Sequence, residues 1–184
     1  MKVNKTYRSL LDKSINSMLS AIEIYNKPNF SYREETFAIL AVNSWELLLK
    51  AILLKNSKYN MRSIYKLTYK KNKVGQDSKI KIPELNRAGN PKTISIVEVI
   101  KNIDSTKFKL DITLQKSLFS LIELRDNSIH FFNENVISKE LQELGFACIK
   151  NYINFIKSNS IDIELDNYNF YLMPLAYVDS KLEV

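Results

Sequence analysis

Three glycines and four prolines in 184 residues leave too little turn chemistry for a many-stranded β fold, so helix is the default class. One cysteine, Cys148, excludes an intrachain disulfide framework. Because His130 is the only histidine, there is also no ordinary zinc constellation. No metal and no cofactor are therefore expected. No segment reads as a secretory leader. The longest apolar run, 37–54, is broken by Asn43, Glu46 and Lys50 and reads as falling short of a membrane span. The expectation is a cytoplasmic protein without membrane contact. With 45% hydrophobic residues the chain can bury a real core, and residues 1–184 are most economically read as one domain.

Apolar spacing predicts five helices. Leu10, Leu11, Ile15, Met18, Leu19, Ile22 and Tyr25 give the first a single buried face from Thr6 to about Lys27, where Pro28 ends it. The second, from about Tyr32 to Lys55, is apolar nearly all round, as the central helix of a bundle would be. Its narrow polar stripe is Asn43, Glu46 and Lys50, spaced three and four apart. A short third helix follows a Thr93 or Ser95 cap. A fourth runs from about Asp111 to Phe132, and a fifth from a Ser138 cap to Lys157 with Cys148 packed inward.

Between these, residues 57–92 break the helical pattern. The alternation Lys79-Ile80-Lys81-Ile82-Pro83 predicts a short hairpin in this insertion. The tail, 161–184, is irregular or β in character and ends in an aromatic run from Tyr168 to Leu175. Such a run wants a cover: a strap back across the helices, a pairing with the insertion near Lys79, or a second chain.

The net charge of +7 fits a polyanion partner, and it fits equally the lysine-rich usage of an AT-rich genome. Lys66, Lys70, Lys71 and Lys73, interleaved with Tyr65 and Tyr69, form the densest cluster. They are candidate nucleic-acid ligands, with a solvated hairpin as the alternative.

The chemistry concentrates at Leu124-Arg125-Asp126-Asn127-Ser128-Ile129-His130 on the fourth helix. The seam Leu118, Leu121, Ile122, Ile129 and Phe132 includes Arg125 where another leucine would be expected, so this guanidinium needs a carboxylate, a neighbouring subunit or a phosphate. His130 is the only side chain whose ordinary pKa, about 6.5, suits a general base or acid near neutrality. Residues five apart on a helix differ by about 140° in direction. Asp126 and Asn127, at i−4 and i−3 from His130, are better placed to orient its ring or bind phosphate. The alternative for His130 is a helix-terminal histidine interacting with the dipole, and Glu46 is a possible partner for Arg125. Glu46 and Lys50 read either as an i,i+4 surface pair or as groups facing the site.

Arg125-Asp126-Asn127-Ser128-Ile129-His130, late in a helical chain, resembles the R-x4-6-H signature of the HEPN superfamily. Arg8-Ser9-Leu10-Leu11, Asn43-Ser44-Trp45-Glu46-Leu47-Leu48-Leu49-Lys50 and Phe170-Tyr171-Leu172-Met173-Pro174-Leu175 are similar to a poorly characterised bacterial family within it, catalogued as a domain of unknown function. The resemblance implies a HEPN-like bundle and a metal-independent endoribonuclease, often a toxin or antiphage effector, with an antitoxin or other regulatory partner. It implies a homodimer whose motif helices face each other, with Arg125 and His130 catalytic and RNA as the partner. It also implies that relatives continue beyond Leu172-Met173-Pro174. A non-catalytic module for RNA or nucleotide binding, or for dimerisation, is the alternative.

Overall fold

Asn4 opens the first helix. Its Oδ1 accepts from the backbone N–H groups of Thr6 (3.0 Å) and Tyr7 (3.1 Å), two of the donors that a helix start leaves without intrahelical partners. The computed structural model describes residues 4–72, 74–104, 110–130 and 134–171, with the backbone alone for 104, 128–130 and 134–142. Helix α1 spans Lys5–Asn26 and α2 spans Arg33–Asn56. Strand β1, Leu67–Lys71, pairs antiparallel with β2, Asp77–Pro83. Helices α3 (Ile96–Asp104), α4 (Ile112–His130) and α5 (Glu134–Ser158) follow. The chain is thus mainly α, with five helices and one two-stranded hairpin among the described residues, as periodicity indicated.

One helix start differs from the sequence reading, and another is settled between its two candidates. Helix α5 begins four residues before Ser138, which therefore lies inside the helix and does not cap it. Ser95, not Thr93, caps α3: its Oγ accepts from the Glu98 N–H (3.3 Å) while a Glu98 carboxylate oxygen accepts from the Ser95 N–H (2.9 Å), a reciprocal capping box. Thr93 pairs instead with Tyr65 in an isolated bridge.

Scarcity of glycine shows at the helix ends. At the end of α2 the Lys58 N–H bonds the Lys55 carbonyl (3.1 Å) and the Tyr59 N–H bonds the Leu54 carbonyl (2.8 Å). At the end of α5 Ser160 bonds Lys157 (3.2 Å) and Ile161 bonds Ile156 (3.1 Å). Both are Schellman closures, whose left-handed position glycine usually fills. Here Lys58 (φ 53°) and Ser160 (φ 46°) hold it.

Helix α2 is long and apolar enough to cross a membrane by length and composition, which corrects the reading of the 37–54 run as too short. Of that window 72% is buried inside the fold, and Trp45, Leu48, Leu49 and Leu54 are fully enclosed, so the helix serves as core.

The chain divides into two units, Met1–Ile15 with Ser44–Ile112, and Asn16–Asn43 with Thr113–Val184. The divisions fall inside α1 and α2 and at the start of α4. In the first unit, buried Ser14 and Ser44 exchange bonds: Ser14 Oγ donates to the Ser44 carbonyl (2.8 Å) and Ser44 Oγ to the Ser14 carbonyl (2.9 Å). Small side chains let the two backbones approach while every hydroxyl proton is satisfied. Leu11, Trp45, Leu48, Val99, Ile100 and Ile103 supply much of this unit's buried surface.

In the second unit Ser17 Oγ donates to the Leu40 carbonyl (2.8 Å), and Tyr25 meets Phe37 edge-on with centroids 5.4 Å apart. Leu118, Leu121 and Ile122 of α4 and Tyr152 and Ile156 of α5 are buried with them. The tail forms a 3-10 turn at Leu165–Asn167, and Asn26 Nδ2 donates to the Tyr171 carbonyl (2.6 Å). Of the three covers expected for the tail, this bond represents the strap. The described tail residues contain no strand, and residues 172–184 lie outside the described residues.

Candidate functional site

On α4 the buried positions Leu118, Leu121, Ile122 and Leu124 define the inward side. Arg125 continues that seam, as the sequence indicated, and its side chain retains 26% exposure. Its guanidinium is held by its neighbour: Nε (2.9 Å) and Nη2 (2.8 Å) both reach Oδ1 of Asp126, whose own side chain is 55% exposed. A guanidinium on an apolar seam is thereby neutralised without deep burial, which avoids the several kcal/mol that an unpaired buried charge costs.

Position 130 lies about 140° from position 125, but only about 40° from position 126 and about 20° from position 119. Asp126, Phe119 (41% exposed) and the terminal position of α4 thus share the outward side of the helix. His130 ends α4, and its side chain lies outside the described residues. Asn127 is exposed on the same last turns.

The polar stripe of α2 is divided between the two units. Asn43 is exposed and donates from Nδ2 to Ser17 Oγ (3.1 Å), within the second unit. Glu46 and Lys50 belong to the first unit and form an ion pair, but not the surface pair expected from their spacing. Lys50 is 4% exposed, and its Nζ also donates to Thr93 Oγ1 (2.9 Å), so the ammonium has two partners inside the fold. This accounts for a lysine on the core helix: the charge links α2 to the end of the insertion.

The insertion holds two features besides the hairpin strands. Asn72 Oδ1 accepts from the N–H groups of Val74 and Gln76 (both 2.9 Å), and Asn86 Oδ1 accepts from Ala88 (2.9 Å) and Asn90 (3.0 Å). Gly75 and Gly89 follow in the left-handed region at φ 81° and 80°. The segments Asn72-Lys73-Val74-Gly75-Gln76 and Asn86-Arg87-Ala88-Gly89-Asn90 are thus two copies of one loop, an Asn-basic-x-Gly signal legible in the sequence.

The second feature is the base of the insertion, a three-way junction. Lys66 N–H bonds the Lys92 carbonyl (2.9 Å), Glu84 N–H the Lys66 carbonyl (2.8 Å), and Lys92 N–H the Glu84 carbonyl (2.7 Å). The side chains repeat the arrangement, with the Glu84 carboxylate between the ammonium groups of Lys92 and Lys66. Chiefly the hydrogen bond from Lys92, with Lys66 adding to it, holds that carboxyl below the usual carboxylate range.

Of the candidate lysines, Lys66 is therefore committed to Glu84, and Lys71 pairs with Asp77 (2.6 Å). Lys70 is exposed, and Lys73 lies outside the described residues. Cys148 is buried, as expected. Among the described residues no three His, Cys, Asp or Glu side chains gather as metal ligands. A largely apolar cavity of about 320 Å³ between α5 and the tail is lined by Phe146, Ile149, Ile153, Phe170 and Tyr171 with Lys150 and Asn154, and has no carboxylate or imidazole in its lining.

A family model described as a domain of unknown function (DUF3644) matches residues 9–184, a span that contains the α4 motif, the insertion and the tail. The chain belongs to this family. No curated protein and no solved structure matches it.

Proposed function

We propose that this DUF3644 protein is a metal-independent endoribonuclease of HEPN type, a cytoplasmic toxin or antiphage effector acting on RNA as a homodimer. The observation that carries this reading is the Arg125–Asp126 pair. A fork-shaped cation is fixed by a carboxylate one turn before the only histidine of the chain.

RNA supplies its own nucleophile. His130 as base takes the 2′-hydroxyl proton, the 2′-oxygen bonds to phosphorus, and the P–O5′ bond breaks as an acid protonates the leaving oxygen. The products carry a 2′,3′-cyclic phosphate and a 5′-hydroxyl. Arg125 donates to the non-bridging oxygens as charge builds on them, a preorganised term of the kind that is often the largest. Asp126 limits the guanidinium's rotation, and Asn127 is a further hydrogen-bonding group on the same turns. A single copy provides one histidine for two proton transfers. Two antiparallel copies provide a base and an acid, and exposed Phe119 on the side of α4 that carries position 130 offers apolar surface for such a contact.

The same pair also favours a second reading. A guanidinium already neutralised by Asp126 attracts a phosphate less, which suits a non-catalytic RNA-binding, nucleotide-binding or dimerisation module. Incubation of the wild-type and His130→Ala proteins with total bacterial RNA in EDTA separates the two. Cleavage by the wild type alone supports the enzyme, and equal cleavage by both rejects the mechanism.

A further inference from the structure

The positive charge of this protein is confined to one segment. Residues 57–92 hold ten of the 27 lysines and arginines but only two of the 20 acidic residues, giving +8, while the other 148 residues together carry −1. Lysine-rich codon usage would spread charge along the chain, so it does not explain this segregation.

The hairpin bearing that charge buries almost nothing. In β1 every residue except Leu67 is exposed, and in β2 every residue except Ser78 and Pro83. A two-stranded hairpin is marginal alone. This one is fastened at its base by the Lys66–Glu84–Lys92 junction and by Arg62, whose Nη2 donates to the Lys81 carbonyl (2.7 Å). The two acids serve that fastening and the Lys71–Asp77 rung. Among the described residues Lys70, Lys79 and Lys81 meet no carboxylate. Tyr69 stands opposite Lys81 in the register, with the Lys81 ammonium 5.4 Å from its ring centroid and the ring 47% exposed.

We infer that the β1–β2 hairpin is a binding site for single-stranded RNA, with Lys70, Lys79 and Lys81 on the phosphodiester backbone and Tyr69 as a stacking platform for a base. It rests on the proposed function only for the choice of RNA as the polyanion. A cation beside an exposed ring matches the unit being bound, a phosphate beside a base, and neither group has a structural duty that burial would reveal. The site differs from the cluster the sequence suggested: Lys66 and Lys71 are occupied by acids, and Lys79 and Lys81 take their place.

The test is fluorescence anisotropy of the full-length protein with a labelled 2′-O-methyl RNA 20-mer, which cannot be cleaved through its 2′ position, so binding is read whether or not the protein is a nuclease. The wild type is expected to bind with an affinity that falls steeply with salt. The Lys70→Gln/Lys79→Gln/Lys81→Gln protein should bind at least tenfold more weakly, with the log–log salt slope reduced by about two, at about 0.7 per lost contact on a single strand. Tyr69→Ala should lose about tenfold with the slope kept. The exposed Lys13→Gln/Lys116→Gln/Lys157→Gln protein has the same net charge as the hairpin triple variant and should bind like the wild type. Unaltered binding by the hairpin variant, equal loss in the control variant, or retention on phosphatidylserine vesicles without oligonucleotide binding would each overturn the inference.

Discussion

Nε and Nη2 of Arg125 both close on the same carboxylate oxygen of Asp126, at 2.9 and 2.8 Å, so the side chain with the fixed positive charge is tied to the residue one turn before His130. This tie spans much of the angular gap between positions 125 and 130, and the first two expectations follow from it.

Arg125→Lys keeps the charge and loses the planar fork. Turnover is expected to fall about 10²- to 10³-fold, the usual effect of removing one transition-state donor, with thermal stability within a few degrees of the wild type. Steady-state kinetics on a short RNA, with a melting curve alongside, checks both.

Asp126→Asn leaves an acceptor for Arg125 but removes the charge that restrains it. A positioning role predicts a loss of about tenfold in kcat with KM nearly unchanged. A purely structural pair would leave both constants alone and move only the melting temperature.

Lys50 and Glu46 should respond asymmetrically to mutation. Glu46→Gln leaves a nearly enclosed ammonium with neutral acceptors only and no counter-charge, and is expected to destabilise by about 2–4 kcal/mol. Lys50→Met replaces the buried charge by an apolar chain and leaves a carboxylate whose side chain is 27% exposed, for a loss of about 1 kcal/mol or less. Urea denaturation of the two variants measures the difference, and the reverse order would show that the ammonium is not the costly member.

The left-handed residues at the helix ends offer a test by gain. Ser160→Gly and Lys58→Gly relieve a strain of about 1–2 kcal/mol per residue against the extra chain entropy of glycine, so each should stabilise by about 0.5–1 kcal/mol. Chemical denaturation midpoints report this directly.

Acid should loosen the start of α3. The Ser95 N–H, and then its hydroxyl, hold the Glu98 carboxyl below its ordinary value. A carboxyl whose pKa is lowered by folding stabilises the fold above its unfolded pKa, and loses that contribution as pH falls through the usual carboxylate value of about 4.3 toward the lower folded value. Ser95→Ala should cost about 1 kcal/mol at pH 7 and progressively less below pH about 4, measured by urea melts across that range.

Much of this architecture was legible in the sequence because burial imposes a period. The α1 and α2 faces, the Pro28 stop and the Lys79–Pro83 strand all follow from spacing. The rest depended on partners that spacing does not encode. Thr93 lies 43 residues from Lys50, so a lysine that reads as a surface residue proves to be enclosed. Spacing does not point to Asp126 as the partner of Arg125, because adjacent residues on a helix do not face each other, yet a guanidinium is long enough to turn back to its neighbour. The Asn-caged loop at 86–90 is not marked by spacing, because the segments flanking it are too short to alternate. The start of α5 differs from its reading at Ser138 because the acids at 140 and 143 imitate a first turn.

Fragment-end chemistry tests the ribonuclease reading most directly. A short RNA is incubated in EDTA with the wild-type, Arg125→Ala and His130→Ala proteins, and the new 3′ ends are identified by mass. Cyclic 2′,3′-phosphate ends from the wild type alone, with the 2′-O-methyl version of the same RNA left intact, are the expected result. Ends bearing a 3′-hydroxyl, or equal cleavage by all three proteins, would contradict it.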